Sequence, residues 1–285
     1  MFHAAAAQAG VPASVVAAVL VAAIAHASWN SIAHGIKDQL ISFALLSMGG
    51  AACAVPIVLL SATPDRRALP FLGTSVLLHV LYNLLLMRCY RIGEFSQVYP
   101  VARGTSPLVV TVLSAIFVGE QPGLREIGGV LTISVGLGCL VFIGGRPDRR
   151  ALLAAFATGL TIAAYTTVDG IGIRRSGGTG GYTGWLMLTE CLPIPIVALW
   201  LRRHTFMSDI RPVWWRGLLG GCFSVLAYAL VLWAQTRGAL APIAALRETS
   251  IIVGAIIGAV FFRERFGRPR IVATVLVVCG IVLIS

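Results

Sequence analysis

The 285 residues are 58% hydrophobic and 12% charged, against about 25% charged in an ordinary soluble domain, and mean hydropathy is +0.89. This excludes a soluble globular domain and reads as an all-α integral membrane protein. The net charge of +11 does not point to nucleic acid as a partner, because no basic stripe is interleaved with aromatics; short-loop arginines beside anionic membrane lipids account for it.

A spanning helix needs roughly 20 mostly apolar residues. Ten stretches fit, at 13–36, 39–61, 68–91, 94–118, 124–144, 150–174, 181–201, 213–236, 239–262 and 268–284. Turn and charge clusters separate them, among them Thr63-Pro-Asp-Arg-Arg67, Gly119-Glu-Gln-Pro-Gly123, Ser176-Gly-Gly-Thr-Gly-Gly181 and Arg263-Glu-Arg-Phe-Gly-Arg-Pro269. The glycine run at 177–181 has no following Lys-Ser/Thr, so it reads as a connector rather than a phosphate loop. The N-terminus has no basic n-region of a signal peptide, so the first helix is expected to be retained.

In chain order, span one carries His26, Trp29 and Asn30 on one helix face, and span three repeats the spacing with His79, Tyr82 and Asn83. Either face lines a cavity or bonds neighbouring helices; Trp and Tyr also serve as packing or interfacial anchors. Span four aligns Ser96, Tyr99, Arg103 and Ser106, with Arg103 near mid-membrane between Pro100 and Pro107. Pro107 has no N–H for the carbonyl of Arg103, so the backbone is expected to be interrupted there. A charge at that depth needs a partner or a hydrated cavity. Span six ends near Asp169, a candidate coupling group or an interfacial cap. In span seven Glu190 precedes Pro193 and Pro195, which should bend the helix. An acid there is a candidate for proton coupling or for an ion pair with an arginine. Span nine offers Arg247 and Ser250 on one face, with Glu248 turned about 100° away.

The chain repeats itself. Arg247-Glu-Thr-Ser250 echoes Arg103-Gly-Thr-Ser106, Glu264 echoes Glu120, Gly280 echoes Gly136 and Tyr228 echoes Tyr82. The halves, 1–146 and 147–285, hold five spans each. An odd number inserts the second copy upside down, giving ten transmembrane helices as two inverted five-helix repeats. Such repeats characterise secondary transporters with a midplane site between the halves. Loops after odd-numbered spans carry fourteen Lys/Arg and the others six, which predicts cytoplasmic odd-numbered loops and both termini outside.

Six cysteines lie singly in apolar runs, so neither disulfides nor a metal site is expected. His-Glu-x-x-His, Gly-x-Ser-x-Gly and Walker patterns are missing from the sequence. His26, His79 and Glu190 form no spacing that supports an acid–base or metal set, so no catalytic residue or cofactor is expected. The expected partner is a small-molecule substrate. Arg103 and Arg247 would attract an anion or zwitterion, and Trp29, Asn30, His26, His79, Tyr82, Asn83, Tyr99 and Ser106 would supply hydrogen bonds and an aromatic wall. An intramembrane enzyme and a non-transporting scaffold or lipid-binding protein are the alternative readings. In the scaffold, Glu190 and Glu248 would satisfy the arginines internally. The oligomeric state stays open between monomer and homodimer.

The whole chain resembles the drug/metabolite transporter superfamily, EamA-type. The resemblance rests on the aromatics Trp29 and Tyr165, on Gly119-Glu120 and Arg263-Glu264 closing the fourth helix of each half, and on the glycines Gly128, Gly129, Gly136, Gly138 and Gly280 of the fifth. It implies a ten-helix carrier of small metabolites in the bacterial inner membrane. The pair His26-Ala-Ser-Trp-Asn30 and Tyr99-Pro-Val-Ala-Arg-Gly104 is similar to a branch associated with phosphonate-utilisation gene sets. Several related carriers keep their termini in the cytoplasm, opposite to the charge count here.

Overall fold

The computed structural model describes residues 12–93, 95–140, 148–261 and 268–284. Glu264 lies outside the described residues, and so does the Ser96 side chain. Helices α1 (Ala13–His34), α2 (Gln39–Leu60), α3 (Leu69–Ile92), α4 (Phe95–Phe117) and α5 (Leu124–Cys139) form the first half. The second half holds α6 (Arg149–Arg174), α7 (Thr179–Glu190), α8 (Pro193–Leu201), α9 (Phe206–Ile210), α10 (Trp214–Gln235), α11 (Leu240–Leu246), α12 (Thr249–Phe261) and α13 (Arg268–Ile284). No strand occurs among the described residues. Seven segments there are long and apolar enough to cross a membrane: α1, α2, α3, α4, α6, α7–α8 taken together, and α10. Of the other expected spans, the tenth recurs with its expected bounds as α13. Helix α5 stops at Cys139, and the ninth stretch is broken into α11 and α12.

Local chemistry sets the ends. Asp38 caps α2 by accepting from the N–H groups of Leu40 and Ile41 at 3.0 and 3.3 Å, and Asp148 caps α6 through Arg150 N–H at 2.8 Å. Pro193 and Pro195 lack donors for the carbonyls of Thr189 and Cys191, and the chain turns between α7 and α8 at that point. The expected interruption of the fourth span does not occur: α4 runs through both Pro100 and Pro107. Each proline removes one bond, and α4 is held along its length against α5 and α6.

The break falls instead at Arg247-Glu248, between α11 and α12. There the N–H groups of Glu248, Ser250 and Ile251 bond three residues back instead of four. The Leu246 carbonyl accepts from the Thr249 hydroxyl at 2.8 Å, and the Arg247 carbonyl accepts from Arg103 at 3.2 Å. A broken helix at membrane depth survives only where protein groups satisfy its backbone.

Packing pairs the halves. Helix α1 lies on α10, α6 lies on α3 and α4, and α5 lies on α13. At one end Glu120 accepts from Leu240 N–H at 2.9 Å and meets Arg174 at 3.3 Å. Arg174 in turn donates to the carbonyls of Gln235 and Gly238 at 2.9 and 2.8 Å. At the other end Arg202 meets Asp38 at 2.7 Å.

Helices α2 and α10 meet backbone to backbone along one seam. A Cβ on Gly49 would sit 2.3 Å from the Gly217 carbonyl oxygen, and one on Gly221 would sit 2.3 Å from the backbone of Gly49 and Gly50. Backbone cannot rotate away as a side chain can, so Gly221→Val must push the helices apart. The expected cost is about 3 kcal/mol, the upper end for overpacking. Gly128→Ala, where nothing lies within 4 Å, should leave stability unchanged or raise it. Melting midpoints of the two purified variants check this; equal midpoints would sink the seam.

Candidate functional site

A central cavity enclosing about 820 Å³ of empty space, its open mouth included, lies between the halves. Helix α1 contributes His26 and Trp29, α2 contributes Phe43, Leu46 and Ser47, and α3 contributes His79, Tyr82 and Asn83. Tyr165 of α6, Glu190 at the end of α7, Ser224 and Tyr228 of α10, and Arg247 at the α11–α12 break complete the wall. Both prominent helix breaks therefore deliver a charged residue to the same space.

Tyr165 organises the aromatic side. Its ring stacks on His79 at 3.9 Å and meets Tyr82 and Tyr228 edge-on at 5.5 and 6.1 Å. His79 is oriented from behind, with Nδ1 3.0 Å from the Ser75 carbonyl and 3.1 Å from its hydroxyl. Donation to the carbonyl fixes the proton on Nδ1, an assignment from bonding geometry. Glu190 Oε2 lies 3.3 Å from the same nitrogen but makes no hydrogen bond with it. Proximity gives electrostatic contact, while the occupied N–H leaves that oxygen without a donor among the described residues. On α1, Trp29 donates from Nε1 to His26 Nδ1 at 3.2 Å, locking the two rings together.

The two arginines of the repeat part company. Arg103 is 3% exposed, pairs with Glu248 at 2.9 Å and donates to Ser250 at 3.2 Å. The arginine expected to line the cavity is instead sealed behind it. The expected geometry of the ninth span fails for the same reason: the break turns Glu248 and Ser250 together toward Arg103 and leaves Arg247 facing the cavity. Arg247 has a long 3.5 Å contact to the Thr166 hydroxyl and no carboxylate within 4.0 Å among the described residues.

Of the other sequence candidates, His26, Trp29, His79, Tyr82, Asn83 and Glu190 reach the cavity. Asn30, Ser106 and Tyr99 do not line it. Asn30 is buried and donates to the His26 carbonyl at 2.8 Å, Ser106 is buried, and Tyr99 lies beside Ser250. Asp169 is not an interfacial cap. It is fully buried and accepts from the hydroxyls of Tyr182, at 2.9 Å, and Tyr228, so it stands one layer behind the wall. The candidate set missed Tyr165, Tyr228, Ser47 and Ser224. The repeat held the signal for the two tyrosines, since Trp29 answers to Tyr165 and Tyr82 to Tyr228.

Among solved structures, the chain is similar to one described only as a crystal structure of a protein, with a TM-score of 0.74 at 17% identity. The likeness covers 94% of this chain and 97% of that one, and it speaks for the fold alone. No curated protein matches the chain. The model of the EamA-like transporter family matches residues 149–285. That half supplies Tyr165, Glu190, Tyr228 and Arg247 to the cavity, so the second half of this multi-pass membrane protein is similar to the EamA-like transporters.

Proposed function

We propose that this chain is a secondary-active carrier of a small anionic or zwitterionic metabolite, amino-acid-like or phosphonate-like. It works in the bacterial inner membrane by alternating access around the central cavity. The observation that carries the reading is that Arg247 and Glu190 both line the cavity and are not ion-paired with each other. A guanidinium accepts a carboxylate or phosphonate through two parallel bonds. The donorless oxygen of Glu190 suits an ammonium group, which favours a zwitterion over a plain anion. The aromatic ring cluster then holds the body of the solute.

The α5, α11–α12 and α13 segments complete ten crossings in this reading, with 1–146 and 147–285 as inverted halves. The exchange of partners between halves supports it, with α1 on α10 and α6 on α3. The loop-charge bias puts both termini outside. Glu190 and Asp169 are the groups through which protons would couple to transport.

The test is a melting screen of the purified protein in detergent against amino acids, aminophosphonates, phosphonates, phosphate esters, amines and neutral sugars. Zwitterions and anions should raise the midpoint selectively. Stabilisation by amines or neutral solutes alone would overturn the assignment.

A further inference from the structure

Cys53 on α2 and Cys222 on α10 are 169 residues apart, yet their Sγ atoms face each other at 3.0 Å. A disulfide needs about 2.05 Å, so roughly 1 Å of closure separates the two thiols from a bond. The pair sits on the same α2–α10 seam as Gly49 and Gly221, where backbone contact fixes the helix separation. Neither thiol can escape the other by a helix shift that keeps the seam intact. Cys222 is exposed on the outer surface of the helix bundle and Cys53 is partly exposed, so in a membrane the pair is open to the lipid. Cys191, the nearest further thiol on this seam, is directed at Gly50 and the cavity wall.

We propose that Cys53 and Cys222 are an oxidation site, at which lipid peroxyl radicals join α2 covalently to α10 and clamp the seam shut. Hydrocarbon surroundings favour hydrogen-atom transfer, which moves no net charge, over attack by a thiolate, the species polar oxidation requires. One peroxyl radical takes the hydrogen of the first thiol, leaving a thiyl radical and a lipid hydroperoxide. A second peroxyl radical takes the hydrogen of the neighbouring thiol, and the two thiyl sulfurs couple. Two thiols lose two hydrogen atoms to form one S–S bond, and two peroxyl radicals become two hydroperoxides. The chemistry is independent of what the cavity carries.

The experiment uses the full chain in vesicles of polyunsaturated phosphatidylcholine, treated with a lipophilic azo initiator. Remaining thiols are alkylated with N-ethylmaleimide before peptide mass analysis. The expected result is the loss of two alkylatable thiols out of six, recovered as one peptide pair joining Cys53 to Cys222 with two fewer hydrogens. Cys222→Ser should abolish the link and Cys191→Ser should leave it. Hydrogen exchange at the α10 amides around 217–224 should slow after oxidation and recover with a membrane-permeant phosphine. Full alkylation of both cysteines, or a link that joins Cys222 to Cys191 instead, overturns the site. A Cys53–Cys222 link with unchanged exchange overturns the clamp.

Discussion

Arg103→Met is expected to unfold the protein rather than simply silence it. Arg103 and Glu248 are both almost fully buried, at 3% and 2% exposure, and meet at 2.9 Å. Removing one partner strands a charge inside the bundle, which costs about 3–5 kcal/mol, whereas removing both often costs little. The single variant should therefore show a sharply lower melting midpoint and a poor yield in membranes. The double variant Arg103→Met/Glu248→Leu should recover most of the loss. A remainder of about 1–3 kcal/mol is expected, because the Ser250 hydroxyl loses the Arg103 donor and the Arg247 carbonyl keeps only the Ser250 N–H. The measurement is the midpoint of all three proteins in one detergent. An Arg103→Met protein that melts with wild type and loses only ligand binding would restore Arg103 to the cavity.

That expectation reverses what the repeat alone suggests. The Arg-x-Thr-Ser echo identifies the two segments that meet at the centre, and they do meet: Arg103 donates to Ser250 and to the Arg247 carbonyl. Sequence periodicity assumes an unbroken helix, so it put Glu248 about 100° away from Arg247 and farther still from Ser250. The break at 247–248 cancels that rule over the very residues that matter. The prolines of α4 were the stronger local signal for a break, yet α4 is continuous. Packing against α5 and α6 holds it together, which no local rule can see.

The helix positions were more legible, because apolar runs bounded by Gly, Pro and Arg clusters obey local physics. Cavity membership was legible where polar residues shared one face, as with His79, Tyr82 and Asn83. It was illegible for Asn30, which bonds back to its own helix, and for Tyr99, which turns to Ser250 of α12. The contact of Cys53 with Cys222 depends on how α2 meets α10. Spacing along the chain carries no trace of it.

Arg247→Gln should have the opposite profile to Arg103→Met. Arg247 bonds only neutral hydroxyls, Thr166 at 3.5 Å and Tyr165, and has no carboxylate within 4.0 Å among the described residues, so its removal strands no charge and melting should shift little. Binding is where the loss appears. A charge-assisted hydrogen bond contributes about 1.5–3 kcal/mol, so affinity for whichever zwitterion or anion stabilises the wild type should fall about 10- to 100-fold. Glu190→Gln gives the complementary half. It should weaken zwitterions by a similar factor and leave plain anions unchanged or better bound, since the variant removes a negative charge from the wall they share. Titration calorimetry of the three proteins against one amino acid and its deaminated analogue separates the two poles. If Arg247→Gln and Glu190→Gln weaken both ligands alike, the cavity has no polarity and its charges serve packing. If Arg247→Gln melts as early as Arg103→Met, the second arginine is structural too, and the solute site shrinks to the aromatic cluster around Tyr165.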